Sequence, residues 1–203
     1  DADCDTKSFD ELNEIGRLTK SNLLLWQCHM CTICGHFFMR AYLKVISTCE
    51  ENPCPQQKPI LFGTRTFYEG IACLSMARDT KRNDWRSTGE KAMSDMSKWA
   101  TMSPWNFESK YMLLQAELHY TDGDFELAER AYKESILSAQ KHKFINDEAV
   151  ALELYGIFLI EKKMKEEGVK QLLTALQKYK EWGASQKVMK LQLFIETVNL
   201  GSP

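Results

Sequence analysis

The sequence predicts an all-α protein, organised as a right-handed α-solenoid of helix–turn–helix repeats with a C-terminal capping helix. Two series of small residues support this prediction, because both recur with a period of about 40 residues, within the range of solenoid repeats. Antiparallel helices whose axes lie about 8–10 Å apart need a small side chain where their backbones come closest. The first-helix series is Ala77, Ala116 and Gly156, and the second-helix series is Gly89, Ala128 and Gly168.

The N-terminal part, residues 1–60, is predicted to contain helices and a loop rich in proline and cysteine, all packing onto the solenoid. An apolar helix is expected from about Ser21 to Cys49, with a break near Gly35. Apolar residues nearly surround this helix, so we expect other elements to cover it on several sides. The segment Asn52–Pro53–Cys54–Pro55 cannot be helical and marks the loop.

Residues 61–203 are predicted to form three helical hairpins of the tetratricopeptide kind, followed by the capping helix. In the middle hairpin, Ser103 before Pro104 marks the start of the first helix, because serine caps helix N-termini and proline fits the first turn. Gly123 marks the end of that helix, since glycine readily adopts the left-handed conformation of a C-terminal cap. Asp124 then caps the second helix.

The outer hairpins and the last helix follow the same reasoning. From Trp85 to Trp99, apolar and small side chains recur at helical spacing, which predicts one buried face in the first hairpin. Asn146 is the predicted cap of an acidic first turn in the third hairpin. A final helix from about Ser185 to Val198 would shield the apolar face of that hairpin.

Composition and charge narrow the functional classes. Hydrophobic residues make up 44% and charged residues 27% of the 203 positions, which is typical of a globular chain rather than a disordered one. The formal net charge is -2 and no basic block is present, so nucleic-acid binding is not expected. No window approaches the roughly 18 uninterrupted apolar residues of a membrane span.

The cysteines and the chain ends indicate the setting. The seven cysteines are odd in number and lie mostly within helical patterns, which favours a reducing, cytoplasmic environment over a disulfide scaffold. The sequence starts at Asp1 without an initiator methionine and stops at Pro203. We therefore expect it to be a piece of a longer polypeptide.

A partner-binding groove is predicted on the inner side of the stack, where the first helices neighbour one another. Arg78 and Glu117 each follow the small residue of their helix, so we expect them to face each other and pair. Two interpretations stay open: the polar groove grips a peptide, or the pair is an inter-repeat salt bridge that fixes the geometry of the stack, which we favour. Lys110, Tyr120 and Glu161 are the better candidates for partner contact. The complete predicted set is Arg78, Lys110, Leu113, Glu117, Tyr120, Glu153 and Glu161.

The cysteines at positions 28, 31 and 34, followed by His36, form the pattern most typical of a metal site. On a helix, however, this spacing turns the third thiol roughly 120° away from the first. Cysteine is also among the most buried residue types and packs as a small hydrophobe. We therefore favour packing roles for Cys28, Cys31 and Cys34, and keep a metal- or redox-sensing helical module as the alternative function.

No catalytic motif is recognisable in the sequence. It contains no nucleophile elbow, no phosphate-binding glycine loop and no zinc-protease histidine pair. We therefore expect a chain that is not an enzyme and needs no cofactor.

Several stretches resemble a known protein family. They are Phe67–Gly70 continuing to Ala77–Arg78, the tryptophan-bounded segment 85–99, and the closing run Tyr179–Ala184. Over about Leu61 to Leu191 the chain resembles the tetratricopeptide-like helical-repeat region of large signalling proteins that join a STAND-type ATPase to a sensor histidine kinase.

The resemblance implies a function for this chain. In that family the region follows the ATPase, precedes sensory and output domains, and is not catalytic. It implies a scaffold or regulatory segment that contacts a protein, a peptide or other domains of the same polypeptide, with homo-oligomerisation as a further option.

Overall fold

The structure is a computed structural model that describes residues 11, 14–18, 22–52 and 59–201. These residues form helices joined by short turns, with no strand among them, which confirms the all-α prediction for this part of the chain. The predicted loop at residues 53–58 lies outside the described residues. Apart from the short helical stretch 14–18, the helices are α1 (Asn22–Phe38), α2 (Tyr42–Glu51), α3 (Pro59–Thr80), α4 (Asn83–Met102), α5 (Pro104–Asp122), α6 (Phe125–His142), α7 (Ile145–Glu161), α8 (Lys165–Trp182) and α9 (Ser185–Asn199).

The break in the N-terminal helix lies at residues 39–41, between α1 and α2, and the prediction of a break near Gly35 is wrong. Gly35 stays within α1, where its Cα faces open space. The helix instead ends at Phe38, and Arg40 in the following turn has a φ of 54°, which lies in the left-handed region. The amides of Arg40 and Ala41 then donate to the carbonyls of Phe37 and His36, both at 2.8 Å, and satisfy the end of the helix.

From α3 onward, consecutive helices pack against each other as pairs. Turns of one to three residues join them, and the most extensive packing is between α3 and α4, α5 and α6, and α7 and α8. We call α3, α5 and α7 the first helices and α4, α6 and α8 the second helices. Each first helix also contacts the next first helix along the chain. The pattern of contacts is therefore mostly between neighbours in sequence.

Small residues allow these pairs to approach closely. All six residues of the two predicted series are buried. The closest crossing joins α7 and α8, where a Cβ on Gly156 would lie 2.9 Å from the carbonyl oxygen of Gly168. A Cβ on Gly168 would lie 2.7 Å from the carbonyl oxygen of Gly156. Glycine at both positions therefore brings the two backbones together.

The predicted helix caps are only partly correct. Gly123 and Gly183 end their helices with φ of 89° and 84°, as the turn chemistry predicts. Ser103 and Asp124 occupy N-cap positions, but neither side chain makes a capping hydrogen bond. Asn146 is not a cap, because α7 begins at Ile145 and its N-cap is Phe144.

The hydrophobic core runs through the whole described array. One cluster of buried residues extends from Ile33 in α1 to Ile195 in α9. Arg65 of α3 ties the end of α2 to this array by donating to the carbonyls of Cys49 at 2.7 Å and Asn52 at 2.5 Å. The division at residue 60 stays a prediction. Among the described residues, no helix combines the length and apolar character needed to cross a membrane.

The last helix covers the array with one side only. Leu191 and Ile195 of α9 are buried, as expected for a capping helix, whereas Leu193 is 63% exposed. Phe194, on the same helix, is 39% exposed.

Candidate partner-binding groove

Arg78 and Glu117 pair across α3 and α5. Arg78 Nη1 lies 3.1 Å from Glu117 Oε2, which confirms the predicted contact. Glu117 is only 1% exposed and also accepts a hydrogen bond from the hydroxyl of Tyr132, at 2.5 Å. The guanidinium of Arg78 lies over the ring of Tyr120, 4.0 Å from its centroid. The pair therefore links two first helices to a second helix from inside the protein.

The residues expected to contact a partner are also engaged within the chain. Lys110 of α5 forms an ion pair with Asp147 of α7, and both side chains are largely buried. The hydroxyl of Tyr120 donates to Glu161, at the opposite end of the same helix pair. Burial and this hydrogen bond raise the pKa of Tyr120. These contacts join successive first helices.

Glu153 is the centre of a second buried polar cluster. Its Oε1 lies 2.6 Å from Lys187 Nζ of α9, and its Oε2 accepts a hydrogen bond from Tyr179 of α8 at 2.8 Å. Arg40 approaches the same carboxylate, with Nη1 at 4.0 Å from Oε1. Burial lowers the pKa of Lys187, and the Glu153 carboxylate opposes this effect.

Four of the seven residues of the predicted groove are buried: Leu113, Glu117, Tyr120 and Glu153. Tyr132 contacts Glu117, and Arg40 approaches Glu153. Glu161 is exposed, and Lys110 and Arg78 are partly so. Whether any of the seven contacts a partner stays a prediction.

A segment that the sequence did not single out lies against the same helices. We call residues 37–42 the elbow. The Phe37 ring stacks on Tyr68 of α3 with centroids 4.2 Å apart. Phe38 lies 5.1 Å from the Trp182 ring and 6.2 Å from the Tyr179 ring, and Lys190 of α9 donates to the Met39 carbonyl.

Arg40 places a positive charge among the acidic residues of the first helices. Burial disfavours its charged form, yet Tyr42 and the carboxylates of Glu153, Glu117 and Glu161 leave its pKa above the ordinary value. Arg40 Nη1 is buried and lacks a hydrogen-bond partner. Two adjacent aromatics before an arginine, at the end of an apolar helix, were the available sequence signal for this segment.

The cysteine cluster does not assemble a metal site in the described structure. Cys28 is buried, Cys31 is exposed and Cys34 is half-buried. Within the described ranges, no group of three or more histidine, cysteine, aspartate or glutamate side chains is arranged to hold a metal ion. Burial and the neighbouring Cys31 raise the pKa of Cys28, and raise that of Cys34 to about 11, which keeps these thiols protonated. His36 Nδ1 is buried without a hydrogen-bond partner.

One further polar cluster joins α5 to α6. His142 lies 4.6 Å from the Trp105 ring, and its Nε2 is 3.7 Å from Glu108 Oε2. Ser138 donates to the same carboxylate at 2.7 Å. Because the serine hydroxyl points to Glu108 and both nitrogens of His142 lack hydrogen-bond partners, this is not the relay that activates a serine nucleophile.

Taken together, most of the buried charges pair across neighbouring helices. Comparison with known proteins adds no relative: no protein-family model, no curated protein and no solved structure matches the chain.

Proposed function

We propose that this chain is a non-catalytic, tetratricopeptide-like helical-repeat segment that mediates protein–protein or interdomain contacts in a larger signalling protein. The proposed arrangement is a right-handed solenoid whose first helices form the inner face. Its partner is a protein, a peptide or another domain of the same polypeptide, in a cytoplasmic setting. The sequence resemblance to the helical-repeat region of STAND-type ATPase and sensor histidine kinase proteins is part of this proposal.

The observation that carries the proposal is the regular spacing of polar contacts between first helices. Arg78 and Glu117 are 39 residues apart, and Lys110 and Asp147 are 37 residues apart. Tyr120 and Glu161, at the other end of α5 and α7, are 41 residues apart. Contacts of near-constant separation are typical of repeat proteins, in which each unit contacts chiefly its neighbours.

The chemistry of the inner face supports binding over catalysis. Its charged side chains pair with one another, and the rings of Phe67 and Tyr68 contact Phe37 of the elbow. Repeat arrays create extended concave surfaces, which suit an elongated polypeptide better than a small substrate. This face contains Tyr68, Tyr120 and Arg78, and tyrosine and arginine are among the residues enriched in binding hot spots.

The proposal is tested by selecting ligands from a random dodecamer peptide library displayed on phage, with the full chain as the immobilised target. We expect selected peptides to bind with micromolar dissociation constants in calorimetry. Hydrogen exchange should show protection on α3, α5 and α7 upon binding. Leu137→Ser on α6, a position that is 64% exposed, is the matched control and should leave affinity unchanged. Failure to enrich any binder, or protection confined to α4 and α6, would contradict the proposal.

A further inference from the structure

We propose that the surface formed by Tyr68 of α3, Glu153 of α7 and the end of α8 is an acceptor for a polypeptide segment with two adjacent aromatic residues and a basic residue two positions after them. The elbow occupies this acceptor in cis. This inference rests on the proposed binding function and names the chemistry of the partner. A partner segment of the same chemistry would displace the elbow. While the elbow is bound, the acceptor is closed to partners, and it becomes available only when such a segment competes.

The aromatic part of the acceptor is formed by rings from helices distant in sequence. Tyr68 of α3 stacks on Phe37, at a centroid distance of 4.2 Å and an interplanar angle of 27°. Tyr179 and Trp182 of α8 contact Phe38 from the other side. Trp182 is 41% exposed, so this end of the acceptor is open to solvent while the elbow is in place. An aromatic side chain from a partner could enter here without a prior opening of the core.

The basic position of the ligand is selected by carboxylates of the first helices. Arg40 lies within 4.0 Å of Glu153, and the charges of Glu117 and Glu161 act on it as well. Aspartate or glutamate at this position of a ligand would meet the same carboxylates and be repelled. The acceptor thus specifies the sign of the charge that follows the aromatic pair.

The fit of the elbow to this acceptor is incomplete. Arg40 Nη1 is buried without a hydrogen-bond partner, although its charge lies among acidic groups. Lys187, at 2.6 Å, holds the Glu153 oxygen that Arg40 approaches from 4.0 Å. A buried donor that lacks an acceptor weakens the state that contains it. A partner arginine placed slightly differently could donate to these oxygens and outcompete the elbow.

The test uses a fluorescein-labelled peptide of residues 34–44, carrying Cys34→Ser, and the full chain. Fluorescence anisotropy should show weak binding to the wild type. Binding to the double variant Phe38→Ala/Arg40→Glu should be at least tenfold tighter, because its own elbow docks poorly. Lys44→Glu reverses a nearby exposed charge and is the matched control, with wild-type affinity expected. A peptide that also carries Arg40→Glu should not bind any of these proteins.

The role of the Glu153 charge in the acceptor is tested by adding Glu153→Gln to the double variant. Glutamine keeps the shape and one acceptor oxygen for Lys187, while its amide nitrogen donates to the Tyr179 hydroxyl. The charge is removed, so the gain in affinity should disappear. A folded double variant without a gain, or a gain that survives Glu153→Gln, would overturn the inference. A domain-swapped dimer of the wild type, detected by light scattering, would overturn the in-cis assignment.

A second measurement covers the case in which the double variant does not fold. Saturating the wild type with the peptide should increase amide hydrogen exchange across residues 37–42, and unchanged exchange would overturn the inference. Library-selected peptides that bind the first helices without competing with the elbow peptide would leave the proposed function intact while refuting this inference. The two failures are therefore distinguishable.

Discussion

At the scale of single residues, the protein uses buried charges as connectors between helices. Glu153 accepts from Lys187 and Tyr179, and Glu117 accepts from Arg78 and Tyr132. A buried carboxylate is tolerated only when hydrogen bonds and an opposite charge replace its lost hydration. Each carboxylate therefore depends on partners supplied by other helices. Removing a carboxylate leaves those partners buried without their hydrogen-bond acceptor.

The pair of Glu153 and Lys187 gives a test at this scale. We expect Glu153→Ala to lower the free energy of unfolding by about 3–5 kcal/mol, because it leaves the buried ammonium of Lys187 without its carboxylate. The combined replacement Glu153→Leu/Lys187→Met should cost much less, since it removes both charges together. Urea denaturation followed by circular dichroism measures both. Equal losses for the two variants would show that the charge pair is not what stabilises this position.

At the scale of helices, close contacts are set by glycines that face each other across one hairpin. Gly168 and Gly156 let α7 and α8 approach closely. A Cβ on either glycine would lie less than 3 Å from the carbonyl oxygen of the other, at 2.7 and 2.9 Å. Gly35, in contrast, lies in α1 with nothing within 4 Å of a Cβ. Substitution by alanine should therefore lower the stability of the protein at Gly168 and raise it at Gly35.

The comparison of these two glycines is the second test. Gly168→Ala should destabilise the protein by about 1–3 kcal/mol, because its Cβ meets backbone that cannot move aside. Gly35→Ala should stabilise it by about 0.5–1 kcal/mol, since alanine is the better helix former and the position is open. Denaturant midpoints of the two variants and the wild type give both values. A loss of stability in Gly35→Ala would contradict the open position described for α1.

The helical pairs could be predicted from the sequence because their contacts are local. Two local signals made this possible. Small residues recur at a constant period from one hairpin to the next, and Gly123 and Gly183 mark the ends of single helices. The elbow could not be predicted, because its break uses Arg40 rather than glycine or proline. Its partners, such as Glu153 and Lys190, are more than 100 residues away, as the 151-residue separation of Met39 and Lys190 illustrates. The groove residues were correctly placed on first helices, but their burial depends on this distant segment.

At the scale of the whole molecule, one apolar core connects the N-terminal helices to the last helix. Several tyrosines lie inside this core with their hydroxyl groups on buried carboxylates or among apolar side chains. Burial, as the main cause, raises the pKa of Tyr42 to about 12, and raises those of Tyr68, Tyr132 and Tyr179 well above the ordinary value. Because these tyrosines ionise less readily in the folded protein than in the unfolded chain, the stability of the fold should decrease at alkaline pH.

Alkaline unfolding is the third test. A phenol whose pKa is about 10 when unfolded and about 12 when folded stabilises the protein fully below pH 10. By pH 12 it has lost roughly 2 kcal/mol of that contribution, because the unfolded state ionises first. We expect the free energy of unfolding to fall steeply above about pH 10, with tyrosinate absorbance appearing together with the loss of helix. Tyr42→Phe should flatten the fall. Tyrosinate that forms while the helix content stays constant would contradict this linkage.

The contact of Lys190 with Met39 has a mechanical consequence. An array held only by adjacent units can fray from either terminus, one unit after another. Here Lys190 of α9 donates a hydrogen bond to the main-chain carbonyl of Met39, which directly follows α1. Detachment of α9 from the array must therefore also break its contact with the elbow, which couples fraying of the last helix to the segment between α1 and α2.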